Sequence, residues 1–234
     1  MIALLGIDCA TIPKKTGLAL GELRDGVVRI LRCATGTKDE TPAKIAVSWL
    51  SEYKEVLIAL DAPLGWPQKL GDCLSVHKAG LPVQSESNQL FRRQTDEAIK
   101  ERLGKQPLEV GANLIARTAV AALTLLNQIR RATGRPIPLA WAQKETEQWR
   151  AIEVYPAATR IGHGALDKGG SLVGLDDLLD CTAVLSKLIK SKDTVDAAVC
   201  ALAAADFLLG KAAQPLDYDT ALAEGWIWAP MSRA

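Results

Sequence analysis

The stretch that most constrains this chain is Asp193-Thr-Val-Asp196-Ala-Ala-Val-Cys200-Ala-Leu-Ala-Ala-Ala-Asp206-Phe-Leu-Leu-Gly210. It reads as a helix that is Ala, Val, Cys and Leu almost all round after Asp196, so it should be buried. Its first turn nevertheless carries two acids three residues apart, on one face. A helix N-terminus tolerates negative charge, and the plain reading makes Asp193 the N-cap, with Asp196 completing the first turn. The sharper reading makes the pair half of a metal site shared with acids from elsewhere.

Those other acids end apolar runs. Ile2-Ala-Leu-Leu-Gly-Ile-Asp8 and Val56-Leu-Ile-Ala-Leu-Asp61 read as buried strands closed by Asp, and Ala151-Ile-Glu153-Val-Tyr-Pro156 carries a Glu. Acids at matching strand ends converge, because parallel sheets place their sites at that edge. Between the first two runs, Gly17–Leu23 and Val27–Cys33 read as strands joined by a hairpin turn at Arg24-Asp-Gly26. Thr41-Pro42 reads as the N-cap and first position of a helix running to about Tyr53. The order β-β-β-α-β opens a ribonuclease H-like fold. The expected fold class is therefore α/β, a mixed five-stranded sheet flanked by helices, with an insertion after strand 4 at about 62–110. The expected organisation is one domain over residues 1–234.

Within the insertion, Phe91–Arg102 reads as a short charged helix. Arg92, Arg93 and Arg102 are its candidate phosphate contacts, because Arg offers planar bidentate donors. Gly111–Arg131 and Asp176–Lys190 read as further helices, and Gly225–Pro230 as an edge strand or packing tail. Trp141, Trp149, Trp226 and Trp228 could stack on bases, but packing is the commoner role. His77 and His163 are lone loop histidines.

Bulk properties exclude several classes. Lys plus Arg (28) nearly cancels Asp plus Glu (27), so nucleic acid binding would need a local basic patch. The five cysteines lack C-x-x-C spacing and read as free thiols of a reducing compartment. With no signal peptide or membrane span, the expectation is a cytoplasmic protein. Oligomeric state is not encoded in any visible pattern. No P-loop, G-x-G-x-x-G or G-x-S-x-G motif occurs.

Asp8, Asp61, Glu153, Asp193 and Asp196 together make a cluster of like charges that needs cations or protons to persist. With no His or Cys in the set, Mg²⁺ or Mn²⁺ is favoured over Zn²⁺. Two such ions about 4 Å apart support phosphodiester hydrolysis.

Gly6-Ile-Asp8, Ala59-Leu-Asp61-Ala-Pro-Leu-Gly65, Arg93-Gln-Thr-Asp96, Glu153-Val-Tyr-Pro156 and Asp193-Thr-Val-Asp196-Ala-Ala resemble the DUF429 family over nearly the whole chain. That family is regarded as a group of predicted nucleases of ribonuclease H-like fold. The closing Asp-x-x-Asp-Ala helix is also similar to that of RuvC-type Holliday junction resolvases, where the final acids complete the metal site. The resemblance implies a metal-dependent nuclease. Asp8, Asp61, Glu153 and Asp196 would be its metal ligands, Asp193 a further catalytic acid, and nucleic acid the partner. Thr95 stands where the family pattern leads one to expect Cys. Two rivals share the superfold. One is an actin-like or sugar-kinase-type nucleotide-phosphate binder, using Asp8-Cys-Ala-Thr11 with Lys14, Lys15, Thr16 and Gly17. The other is a binding module without catalysis.

Overall fold

The computed structural model describes residues 2–111 and 113–230. The chain opens with three antiparallel strands, β1 (Ile2–Asp8), β2 (Gly17–Arg24) and β3 (Val27–Thr35). The β2–β3 turn uses Asp25 and Gly26, both at positive φ (51° and 83°), as a two-residue hairpin of matching twist demands. Helix α1 (Pro42–Leu50) is capped by Thr41, whose hydroxyl oxygen accepts from the Lys44 N–H at 3.4 Å. Strand β4 (Glu55–Asp61) then pairs parallel with β1.

The segment after β4 folds as three short helices, α2 (Gln68–Val76), α3 (Ser87–Phe91) and α4 (Gln94–Leu103). The single helix expected over Phe91–Arg102 is thus interrupted, because Arg92 and Arg93 are extended. Asp96 explains the restart: its Oδ2 accepts from the Arg93 N–H at 2.9 Å, satisfying a donor that a continuous helix would direct to a carbonyl.

Helix α5 (Asn113–Thr133) follows, starting later than the expected Gly111, with Ala112 outside the described residues. Strand β5 (Trp149–Glu153) adds parallel to β4, and α6 (Pro156–Gly162) starts at once on Pro156.

A sixth strand corrects the expected five. Residues 176–190 do not form one amphipathic helix. They hold the two-residue β6 (Leu179–Asp180), parallel to β3, and the short α7 (Leu185–Leu188). Asp180 Oδ1 accepts from both the backbone N–H and the hydroxyl of Thr182, a local turn that competes with helix. Leu179 and Cys181 are buried, and the Asp180 carboxylate pairs with Arg29 at 3.0 Å. Helices α8 (Lys192–Leu208) and α9 (Tyr218–Glu224) complete the set.

The sheet order is β5-β4-β1-β2-β3-β6. One face packs on α8, with Leu4, Ala19, Val28 and Leu57 against Val199 and Leu202. The other packs on α1 and α5, with Leu5, Ile7, Leu20 and Ile58 against Ile45, Leu126 and Ile129. Covering on both faces explains why β1 and β4 are apolar without alternation.

A carboxylate site at the ends of β1 and β4

Parallel pairing of β1 and β4 sets Asp8 directly opposite Asp61. Adjacent strands lie about 4.8 Å apart, so the two carboxyls leave the sheet side by side. Glu153 belongs to the next strand, one position short of Asp61's level, since it pairs with Leu60.

Helix α8 reaches this edge because two glycines let it. A Cβ on Gly6 would lie 1.9 Å from the Ala197 carbonyl oxygen, and one on Gly17 2.0 Å from that of Asp193. The helix backbone therefore rests directly on β1 and β2, with an alanine-rich surface at the contact. Asp193 and Asp196 are thereby carried to the end of β1. Asp193 is not the N-cap expected from sequence. Ser191 caps α8, its Oγ accepting from the Asp193 N–H at 3.2 Å, which places Asp193 in the first turn.

The electrostatics are uneven. The carboxyls of Asp8 and Asp61 make no hydrogen bond or ion pair among the described residues. Burial pushes Asp8 up to about 8, reinforced by the charges of Asp61, Asp196 and Asp193. Burial, then Asp196 and Glu153, pushes Asp61 up to about 7. Lys192 opposes both shifts, and Arg160 opposes that of Asp61. Asp196 is differently placed: its Oδ1 accepts from the buried Arg160 guanidinium and from the Gly170 N–H at 2.9 Å. Its Oδ2 takes no described hydrogen bond. Arg160 is itself held by the Ser171 carbonyl at 3.0 Å.

Glu153 does not join this group as an open ligand. Arg93 donates to both of its oxygens, at 2.9 and 2.7 Å, and the Leu64 N–H donates to Oε2 at 2.9 Å. Burial pushes the Glu153 carboxyl above its usual range, and the guanidinium of Arg93 pulls it back. The expected phosphate contact at Arg93 is corrected by the same geometry. Its side chain is 1 % exposed and spans Glu153, Asp96 and the Glu224 carbonyl, so no phosphate reaches it. Arg92 pairs with Glu97 and Glu109, while Arg102 is partly exposed with no ion pair among the described residues.

Around this knot the insertion, β5 and the C-terminal segment are tied together. Glu224 caps two helices, accepting from the Gln68 and Gln94 N–H groups at 2.9 Å each. Thr95 is fully buried and accepts from the Ile227 N–H at 2.8 Å, a bond that a hydroxyl makes better than a thiol. The segment 225–230 bridges β5 at Glu153–Ile227 and buries Trp226 and Trp228. Trp149 is buried and Trp141 packs on Trp228, so none of these four indoles is an open stacking platform. His163 contacts the buried Asp206 at 2.7 Å on α8, although the sequence presents it as a lone loop residue. The first hairpin offers no free hydroxyl at Thr16, which is turned inward to the Ala10 and Ile12 carbonyls.

Sequence reasoning missed Arg160 and Lys192, and missed that Gly6 and Gly17 are the places where α8 rests on the sheet. Lys192 had one usable signal, a cation next to the acids that flagged α8, whereas Arg160 lies seven residues beyond Glu153 on α6 and had none. The glycines had none, since the close approach is between segments about 180 positions apart.

Among the described residues, no three Asp, Glu, His or Cys side chains stand close enough to hold a metal ion by themselves. What the edge does offer is a pair of partner-free carboxyls, a third with one oxygen open, and two cations behind them.

An antiparallel three-strand opening, a crossover helix, two further parallel strands and a closing helix over the sheet give a ribonuclease H-like fold, with acids at the C-terminal edge of its parallel strands. The chain belongs to the family described as "Protein of unknown function (DUF429)", whose model matches residues 6–221. Among solved structures it is similar to T. thermophilus RuvC in complex with Holliday junction substrate. That likeness has 15% identity, covers 92% of this chain and 100% of that chain, and has a TM-score of 0.44. No curated protein matches it. Among the described residues, no helix is long and apolar enough to cross a membrane.

Proposed function

We propose that this protein is a divalent-metal-dependent nuclease, hydrolysing phosphodiester bonds of nucleic acid by a two-metal-ion mechanism at the Asp8–Asp61 edge. The observation that carries the reading is the in-register pair itself. Two carboxyls are forced side by side, partly buried, and given neither an ion pair nor a hydrogen-bond donor among the described residues. Such a pair is unfavourable unless protons or cations neutralise it.

The donor set fits Mg²⁺ or Mn²⁺. All ligands are hard oxygens, and Mg²⁺ is commonly held through only one or two carboxylates, with waters and substrate phosphate filling the remaining positions. Asp8 and Asp61 would hold the ion, Asp196 would add Oδ2, and Asp193 would contribute from the rim. Bound ions of this kind supply an activated water and stabilise the leaving oxygen. The chain's own residues do the rest. Asp8 and Asp61, whose carboxyls hold protons well above the usual range, would release them on binding a cation. Arg160 and the Gly170 N–H fix the rotamer of Asp196. Glu153 acts at one remove, locking Leu64 and with it the loop that follows Asp61. Lys192, exposed and close enough to Asp8 and Asp61 to oppose their shifts, would meet phosphate locally, which a net charge of +1 requires; Arg102 is a further candidate, and Arg92 would first have to leave Glu97 and Glu109.

The test is cleavage of labelled oligonucleotides with Mg²⁺ or Mn²⁺. Wild type should cut and Asp8→Asn, folded as judged by circular dichroism, should not. Full activity in Asp8→Asn would overturn the site.

A further inference from the structure

Beside Asp61 lies a cavity of about 200 Å³ that no role in holding the cation explains. Its walls are mostly apolar: Pro63, Pro107, Leu108, Ile115 and Val154 line it, with Tyr155 and Thr118, the carboxyl of Asp61 and the buried Arg93–Glu153 ion pair as its polar members. Leu108 is 66% exposed although it faces this cavity, so the wall is finished on the protein side and open on the other. The Tyr155 hydroxyl makes no described hydrogen bond. The cavity is therefore a mostly apolar slot with one unsatisfied phenol and with Asp61, one of the paired acids, in its lining.

We infer that this slot receives one unpaired nucleobase adjoining the scissile phosphate, so that the substrate is nucleic acid carrying an unstacked nucleotide at the cut. The inference deepens the nuclease reading and rests on it. A phosphate at Asp8 and Asp61 has its own nucleoside within a few ångströms, and the slot is the apolar space at that distance. Bases still paired in a duplex cannot enter, because a slot of this kind takes a base only after it leaves the stack. Proline rings and a tyrosine offer flat apolar surface to any base, and the phenol offers one hydrogen bond to a base edge.

The probe is a set of labelled oligonucleotides: a full duplex, the same duplex with one unpaired nucleotide, and the single strand. Binding is followed by fluorescence anisotropy, both in EDTA and with Ca²⁺, and Mg²⁺ binding by the protein alone is followed by calorimetry. Thr118→Trp fills the slot from α5, and Leu108→Ala removes an exposed wall with little risk to folding. Neither residue belongs to the acid group. Wild type should prefer the unpaired and single-stranded forms by at least about tenfold over the duplex. Thr118→Trp should erase that preference and Leu108→Ala should reduce it, with Mg²⁺ binding unchanged in both. Equal binding of all three oligonucleotides, or a preference unmoved in both variants, overturns the slot. A preference that persists in a wild type that binds no metal supports the slot and sinks the nuclease reading instead.

Discussion

At the residue scale the decisive fact is that two acids were left without partners while two others were given arginines. Asp8 and Asp61 sit well above the usual carboxylate range, so the folded state binds more protons than the unfolded chain between about pH 4 and 8. Without metal, stability is therefore highest at low pH within that window, falls as pH rises through it, and levels off above about 8. Asp8→Asn should flatten this slope and stabilise the metal-free protein at pH 8 by at least about 1 kcal/mol, read from urea unfolding at several pH values. A slope as steep as wild type would mean that Asp8 does not titrate there. Arg93 has the opposite role. Arg93→Ala leaves Glu153 and Asp96 buried without their cation, and should cost about 3–5 kcal/mol. A loss below about 1 kcal/mol would show the knot to be dispensable.

At the element scale the site depends on how α8 lies on the sheet. Gly17→Ala sets a Cβ against the Asp193 backbone, which cannot retreat as a flexible side chain would. The expected outcome is a loss of about 1–3 kcal/mol in unfolding free energy together with weakened Mn²⁺ binding, since Asp193 and Asp196 move with the helix. Gly71→Ala, inside α2 with nothing within 4 Å of the added Cβ, serves as the control and should stabilise by about 0.5–1 kcal/mol, as loss of a helix-interior glycine does, with Mn²⁺ binding unchanged. Metal binding unchanged in Gly17→Ala would separate α8 from the site. Much of this scale was legible in the sequence where signals are local. Thr41-Pro42 announced α1, Asp25-Gly26 announced the hairpin, and the apolar runs ending at Asp8 and Asp61 announced strands buried on both faces. Residues 176–190 were not legible, because leucines spaced for a helix were overridden by the turn that Asp180 makes with Thr182.

At the scale of the whole molecule, the paired acids were readable because strand order follows from element order, and parallel pairing of β1 with β4 brings their C-terminal ends together. The fate of Glu153 was not readable. Its partner Arg93 lies 60 positions earlier, in a segment whose fold depends on Asp96, Glu224 and the C-terminal residues it packs against. A carboxylate at a strand end looks the same in sequence whether it awaits a cation or already holds a guanidinium. The measurement that separates these cases most directly is calorimetric titration of Mg²⁺ or Mn²⁺, with and without oligonucleotide, into wild type, Asp8→Asn, Asp61→Asn and Asp196→Asn, in two buffers of different ionisation enthalpy at pH 7. Wild type should bind with release of protons, Asp8→Asn and Asp61→Asn should lose binding, and Asp196→Asn should weaken it. Absence of binding in wild type under both conditions, or binding left intact by Asp8→Asn and Asp61→Asn, would contradict a divalent-cation site at the ends of β1 and β4.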